Sequence, residues 1–156
     1  MSIVLKKYSE KNKKQWDNFV KSSSNGTIFH LRKFLSYHIN RQFNDNSLFF
    51  KKDDLIIAVF PATKVIENEK IILFSHPGAS YGGFVYDHLT YDDAEKIIKL
   101  INKYCLDNNF NELFFIPTPI IYYNNKNDTL NYLLYRNEFK IMEVYISSVI
   151  KIEQKK

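Results

Sequence analysis

Between Ser47 and Ser75 the sequence repeats one pattern, a short apolar stretch closed by a polar turn, and few folds accommodate it. Ser47 to Phe50 and Leu55 to Ala62 read as strands, with Lys51-Lys52-Asp53-Asp54 as the hairpin turn between them. Glu67 to Lys70 is a second polar turn, after which Ile71 to Ser75 returns antiparallel to its predecessor. The period then changes. Thr90 is a good N-cap, Asp92 and Asp93 suit a first helical turn, and Ala94, Ile97, Ile98, Ile101 and Cys105 keep helical spacing to about Asn108. A meander of strands followed by one long amphipathic helix excludes all-helical and all-β chains alike.

The flanking segments extend this mixed pattern. Ser2 to Tyr8 reads as a first strand, and Trp16, Phe19 and Val20 mark a short helix over Gln15 to Ser22. Ser22-Ser23-Ser24-Asn25-Gly26 is a loop, because each residue is a turn or cap former. Phe29 to Ile39 reads as a helix with Leu31, Phe34, Leu35 and His38 on one face. Beyond the long helix come a strand over Glu112 to Ile116, a loop from Pro117 to Asn127, a helix over Thr129 to Asn137 and a last strand from Met142 to Ile152. No internal repeat or linker divides the chain. Residues 1–156 are therefore expected to form one α/β domain, a mixed and mostly antiparallel sheet flanked by helices.

Composition narrows the function classes. No apolar run approaches the roughly 18 residues that span a bilayer, so no membrane span is expected. The opening MSIVLKKYSEKNKK has no apolar stretch followed by a small-residue cleavage site, so a cytoplasmic protein is expected. Cys105 is the only cysteine, and no Cys/His cluster has zinc spacing, so neither a disulfide nor a metal is expected. The net charge is +5, yet only three of the 22 basic residues are arginines (Arg32, Arg41 and Arg136), and the lysines form no block longer than a pair. Arginine is the residue that reads phosphate and guanine by two hydrogen bonds, so this charge reads as a solvated surface and no DNA partner is expected.

One segment is unlike the rest. SHPGASYGGF, Ser75 to Phe84, holds three of the four glycines. Glycines there permit close backbone approach or positive φ, and His76, Ser80 and Tyr81, with Gly82 and Gly83, form a candidate substrate-binding loop at a strand end. The alternative is a bulged strand that needs glycine for packing. His76 is the one candidate general base, and its geometry cannot be read from sequence. Tyr122 and Tyr123 could wall a sugar or nucleobase. His30 and His38 lie two helical turns apart, too far for a shared metal, and read as a packed pair. Arg136 suits a helix C-terminus, Cys105 the core, and Ser147 and Ser148 lack a matched His/Asp set.

The element order resembles the GCN5-related N-acetyltransferase superfamily. Within it, NGTIFHLRKFLSYH (Asn25 to His38), VFPA (Val59 to Ala62), SHPGASYGGFV (Ser75 to Val85), FIPTPIIYY (Phe115 to Tyr123) and ISSVI (Ile146 to Ile150) resemble the N-terminal half of Fem-like transferases of bacterial envelope and surface-polysaccharide pathways. The resemblance implies an N-acyltransferase fold, attack by an amine on an acyl carbonyl, and a nucleotide-activated amino sugar or cell-envelope precursor as acceptor. It also implies a substrate role for the position of His38, where the family offers a lysine to a diphosphate. Such relatives usually carry two copies of the fold, and this chain has one. The family's Q/R-x-x-G-x-G/A pyrophosphate loop is absent, and Asp92 and Asp93 would repel a pyrophosphate at the helix start. No cofactor is therefore expected on this chain alone, with acetyl-CoA or aminoacyl-tRNA serving a full assembly. Two readings remain open: an acyltransferase domain forming the acceptor-binding half, or a non-catalytic binding or dimerisation module. A homodimer, or a second acetyltransferase-like copy, is the expected partner.

Overall fold

The structure, a computed structural model, describes residues 2–37, 43–146 and 150. Strand β1 (Ile3–Lys7) leads through a 3-10 turn into helix α1 (Lys13–Ser22). A second 3-10 turn, Ile28–His30, precedes the one-turn helix α2 (Arg32–Leu35). Strands β2 (Asn44–Asp45), β3 (Leu48–Lys52), β4 (Leu55–Phe60), β5 (Thr63–Glu67) and β6 (Lys70–Ser75) follow, then β7 (Val85–Tyr86) and helix α3 (Tyr91–Asp107). Strand β8 (Glu112–Phe115), a 3-10 turn at Ile120–Tyr122 and helix α4 (Thr129–Arg136) complete the order.

The expected α/β class holds, with the strands divided between two four-stranded sheets, β1-β3-β4-β7 and β2-β5-β6-β8. All pairings are antiparallel except β6 with β8. Both hairpin turns fall where the polar residues sit: Asp53 and Asp54 (φ 48° and 65°) join β3 to β4, and Asn68 and Glu69 (φ 47° and 63°) join β5 to β6. Two consecutive positive φ values match the right-handed strand twist.

The division into two sheets has local causes. Pro61 lacks an N–H and cannot continue the ladder between β4 and β5. Across this break Ala62 N–H donates to Ser47 Oγ at 3.1 Å, and Asn46 N–H donates to the Ala62 carbonyl at 2.8 Å. Beside it, β6 stops at Ser75, and Gly82 bridges Pro117. Ser75 is in register with Phe115, so Gly82 resumes the line of β6 after a six-residue excursion, His76 to Tyr81. The breaks lie side by side.

The core follows from strand alternation. Phe50, Ala58, Phe60, Leu73 and Phe84 face α3 and α4, where Ala94, Ile97, Ile98, Ile101, Cys105, Leu130 and Leu133 meet them. Their neighbours Phe49, Val59 and Val85 point the other way, onto Trp16 and Val20 of α1. Thr90 caps α3 as expected, its Oγ1 accepting from Asp93 N–H at 3.2 Å, and the Asp93 carboxylate receives Lys52 Nζ at 2.9 Å.

Two expectations need correction. The helix read over Phe29 to Ile39 is a 3-10 turn and a single α turn, broken at Leu31, whose ψ of 140° is extended. Its Asp17 partner explains the break: the Arg32 N–H donates to the Asp17 carboxylate at 2.8 Å, so α2 starts afresh there. The last strand read from Met142 is absent over residues 142–146, where Met142, Val144, Tyr145 and Ile146 are exposed and no strand pairs with them. The remainder of that reading, with Ser147 and Ser148, lies outside the described residues, as does His38. Among the described residues, no helix is long and apolar enough to cross a membrane.

Candidate functional site

The strand break at Ser75 organises the most unusual part of the molecule. Ser75 is fully buried, and its Oγ accepts the Gly83 N–H at 2.8 Å across the mouth of the excursion. Gly82 N–H donates to the Ile116 carbonyl at 2.7 Å. A Cβ on Gly82 would lie 2.9 Å from the Ser75 backbone, and Gly83 has φ +81°. Close approach thus fixes the first glycine and positive φ the second.

Beyond Gly82 the line of β6 continues into β7, while the chain after β8 turns away at Pro117. The gap that opens between them is filled by Ser24 and Asn25. On the β7 side, Ser24 N–H donates to the Tyr86 carbonyl at 2.9 Å, Asn25 Nδ2 to the Phe84 carbonyl at 2.8 Å, and Tyr86 N–H to Asn25 Oδ1 at 2.9 Å. On the opposite side, Asn124 N–H donates to the Ser24 carbonyl at 2.8 Å and Thr118 Oγ1 to the Asn25 carbonyl at 3.2 Å. Ser24 Oγ completes the seal by donating to the Asn125 carbonyl and accepting its N–H, both at 2.9 Å. Ser24 and Asn25 are buried, so this is an internal seam.

His30 locks the wedge to the excursion. Its Nδ1 accepts the Thr27 N–H at 3.0 Å, which leaves the proton on Nε2, 3.3 Å from the Gly82 carbonyl and 3.4 Å from Thr118 Oγ1. The His30 carbonyl accepts Trp16 Nε1–H at 2.8 Å. Burial pushes the imidazole down to about 4, against backbone hydrogen bonds that favour its charged form. A neutral, fully buried histidine with both nitrogens engaged is structural, as the packed reading of His30 anticipated. Sequence reasoning read Asn25 only as loop, from the cluster of small cap-forming residues before Gly26, and passed over Thr118.

The other candidates separate by exposure. His76 is only 6% exposed, its Nδ1 lying 2.9 Å from the Pro77 carbonyl and its ring edge-on to Phe43 at 5.0 Å. Ser80 is exposed at the tip of the excursion. Tyr81 stacks against Tyr122 with centroids 5.9 Å apart and planes 24° apart, and Phe29 meets it edge-on at 4.7 Å. Tyr123 turns instead to Tyr86 at 6.3 Å and is half-buried. The structure thus joins Tyr81 to Tyr122, with Ser80 next along the excursion, and sends His76 and Tyr123 inward. Tyr122 is exposed and Tyr81 half-buried, and such a near-parallel pair of rings can receive a planar or sugar face.

A thioester cofactor would meet two obstacles. An amide-bearing arm such as that of coenzyme A would dock, as a peptide strand does, on unpaired backbone groups beside a strand; on the β7 side the Phe84 carbonyl and the Tyr86 N–H and carbonyl are taken by Ser24 and Asn25. The cofactor's diphosphate needs free N–H groups at a helix start; at α3, Asp93 N–H is taken by Thr90, and the Asp92 carboxylate stands in that first turn. The residues present do not fit the group. Among the described residues, no cluster of three or more His, Cys, Asp or Glu could hold a metal.

No protein-family model matches the chain, and no curated protein matches it in sequence. Solved structures do. The aminoglycoside acetyltransferase AAC(6')-Iy, in complex with a CoA-S-monomethyl-acetylneamine bisubstrate analogue, superimposes with a TM-score of 0.60 at 12% identity, over 97% of this chain and all of that one. The ribosomal-protein-alanine N-acetyltransferase of Brucella melitensis biovar Abortus 2308 gives 0.57 at 10% identity, over 97% and 100%. An aminoglycoside acetyltransferase from an uncultured soil metagenomic sample, in complex with trehalose, gives 0.52 at 12%, over 98% and 97%. At such identities the likeness concerns the fold, and the fold of this chain is that of the acyl-CoA N-acyltransferases.

Proposed function

We propose that this domain is the acceptor-binding copy of a Fem-like acyltransferase, holding a nucleotide-activated amino sugar or envelope precursor while another copy of the fold holds the acyl donor. The observation that carries this reading is the seam: Ser24 and Asn25 lie between β7 and the chain after Pro117 and take the Phe84 carbonyl and the Tyr86 N–H and carbonyl that a thioester arm would use there. Tyr81 and Tyr122 form the acceptor surface, with Ser80 beside them and Gly82 and Gly83 setting their position. Two of the similar structures are aminoglycoside acetyltransferases, and an aminoglycoside is an amino sugar, so an amine-bearing sugar is the acceptor class in keeping with the fold. His76 supports the root of the excursion from inside; a role for His38 rests on the resemblance alone.

The same seam favours a second reading, a binding or dimerisation module without any transfer chemistry. Calorimetric titration separates them. Saturable binding of a UDP-amino sugar with no heat from acetyl-CoA at millimolar concentration is the expected result. Stoichiometric acetyl-CoA binding overturns both readings, and silence toward UDP-sugars leaves the module.

A further inference from the structure

The wedge is built on the chain's one Asn-Gly pair, Asn25-Gly26. In a flexible chain such a pair is chemically labile. The backbone nitrogen of the glycine gives up its proton and bonds to the asparagine Cγ, the Cγ–Nδ2 bond breaks, and ammonia leaves. Water then opens the resulting imide to aspartate, or to isoaspartate, in which the main chain runs through Cβ. Glycine in second place speeds the attack, because it has no Cβ to shield its nitrogen.

The fold dictates both members of the pair. At position 25 the seam needs a donor and an acceptor on one short side chain: Nδ2 donates to the Phe84 carbonyl at 2.8 Å, and Oδ1 accepts the Tyr86 N–H at 2.9 Å. Position 26 has no room for a side chain, since an added Cβ would lie 2.1 Å from the Val20 carbonyl oxygen and 2.3 Å from Ser23 Oγ. The labile pair therefore comes with the seam.

The same contacts hold the reaction off. Asn25 is 1% exposed, its amide is pinned through both Nδ2 and Oδ1, and the Gly26 N–H donates to Ser23 Oγ at 3.0 Å. Ring closure requires the side chain to leave both hydrogen bonds. Once the imide has opened, neither product restores the seam. An ionised aspartate sets a second acceptor against the buried Phe84 carbonyl, where a donor stood. Isoaspartate lengthens the main chain by one atom between residues whose partners lie on two sides of the gap.

We propose that Asn25 is a site of spontaneous deamidation gated by the seam: the folded chain protects it, opening of the seam exposes it, and one conversion leaves the seam unable to close. The wedge then marks, irreversibly, every chain that has stayed open long enough to react.

Peptide mapping by mass spectrometry, on the full chain kept in mildly alkaline buffer with and without urea, tests the proposal. In urea, Asn25 is expected to convert faster than any other asparagine; in the folded chain its conversion should be roughly 100-fold slower or more, since it awaits an opening. Thr118→Ala, which removes the 3.2 Å hydrogen bond to the Asn25 carbonyl, should speed conversion several-fold in the folded chain and leave the rate in urea unchanged. Asn25→Asp, the direct product, should lower the denaturation midpoint at neutral pH and release the Ser24 N–H, which donates to the Tyr86 carbonyl, to hydrogen exchange. Equal rates in folded and unfolded chains overturn the proposal. So does a folded-chain rate that Thr118→Ala leaves unchanged, and so does an Asn25→Asp chain with the midpoint and Ser24 protection of wild type.

Discussion

The His30 imidazole donates from Nε2 to the carbonyl of Gly82, 52 residues away in sequence, and holds the excursion to the wedge that seals the seam. Because burial pushes its pKa from 6.5 down to about 4, the folded state favours the neutral ring. The resulting stability is complete above the unfolded value of 6.5 and is lost as pH falls toward 4. Integrated over that window it is about 3 kcal/mol. Wild-type denaturation midpoints should therefore decline between pH 6.5 and 4, and His30→Asn, less stable at neutral pH, should show a flatter profile over the same window. Equal slopes in chemical denaturation would remove the titrating role from His30.

Asn25 acts as a strand made of side chain, serving Phe84 and Tyr86 from one amide. Asn25→Ala leaves a buried carbonyl and a buried N–H without partners, a loss of roughly 2–4 kcal/mol. For a chain of this size that corresponds to a fall in Tm of roughly 5–15 °C. Ser80→Ala, at an exposed position, should leave Tm nearly unchanged.

Gly82→Ala sets a methyl 2.9 Å from the Ser75 carbonyl carbon and oxygen, which are backbone and cannot swing aside. Gly83→Ala is strained for a different reason, its φ of +81°, at a typical cost of about 1–2 kcal/mol. Thermal melts should rank Gly82→Ala as the more damaging, since it must part β6 from the resumed strand.

The Lys52–Asp93 pair offers a separate acid signature. Burial alone would raise the Asp93 carboxyl, but hydrogen bonds from Lys52 and Thr90 outweigh it and hold the group below its ordinary value. Its contribution is thus present above the unfolded value and lost as pH falls through the lower folded one. Asp93→Asn should be less stable than wild type at pH 7, and the difference should close below about pH 4.

Much of this fold is written locally. The β3–β4 and β5–β6 turns, the Thr90 cap and the apolar row of α3 are decided by neighbours a few residues apart, and all were legible. The strand break was legible only as a run of glycines, because what it requires, Ser75 against Gly82 and Phe115 against Gly83, depends on chain segments brought together by folding. The wedge was hidden more deeply. Asn25 sits in a stretch of serines that reads as loop, and its strand-like role needs Phe84, Tyr86 and Thr118, each about 60 or more residues distant. The Arg32–Asp17 contact defeated the helix reading after Phe29 for the same reason, a tertiary bond overriding an apolar period.

Tyr122 and Tyr123 are adjacent in sequence and opposite in consequence. Tyr122 is 47% exposed and stacks on Tyr81, whereas Tyr123 packs into the core beside Tyr86. Loss of one aromatic stacking partner costs about 1–3 kcal/mol, or roughly 5- to 150-fold in Kd. Tyr122→Ala should therefore weaken UDP-amino-sugar binding by that factor with little change in Tm. Tyr123→Ala should lower Tm by roughly 5 °C or more through the lost core contact. Binding that survives Tyr122→Ala, in a chain whose Tm is unchanged, would move the acceptor away from the Tyr81–Tyr122 surface while leaving the sealed seam untouched.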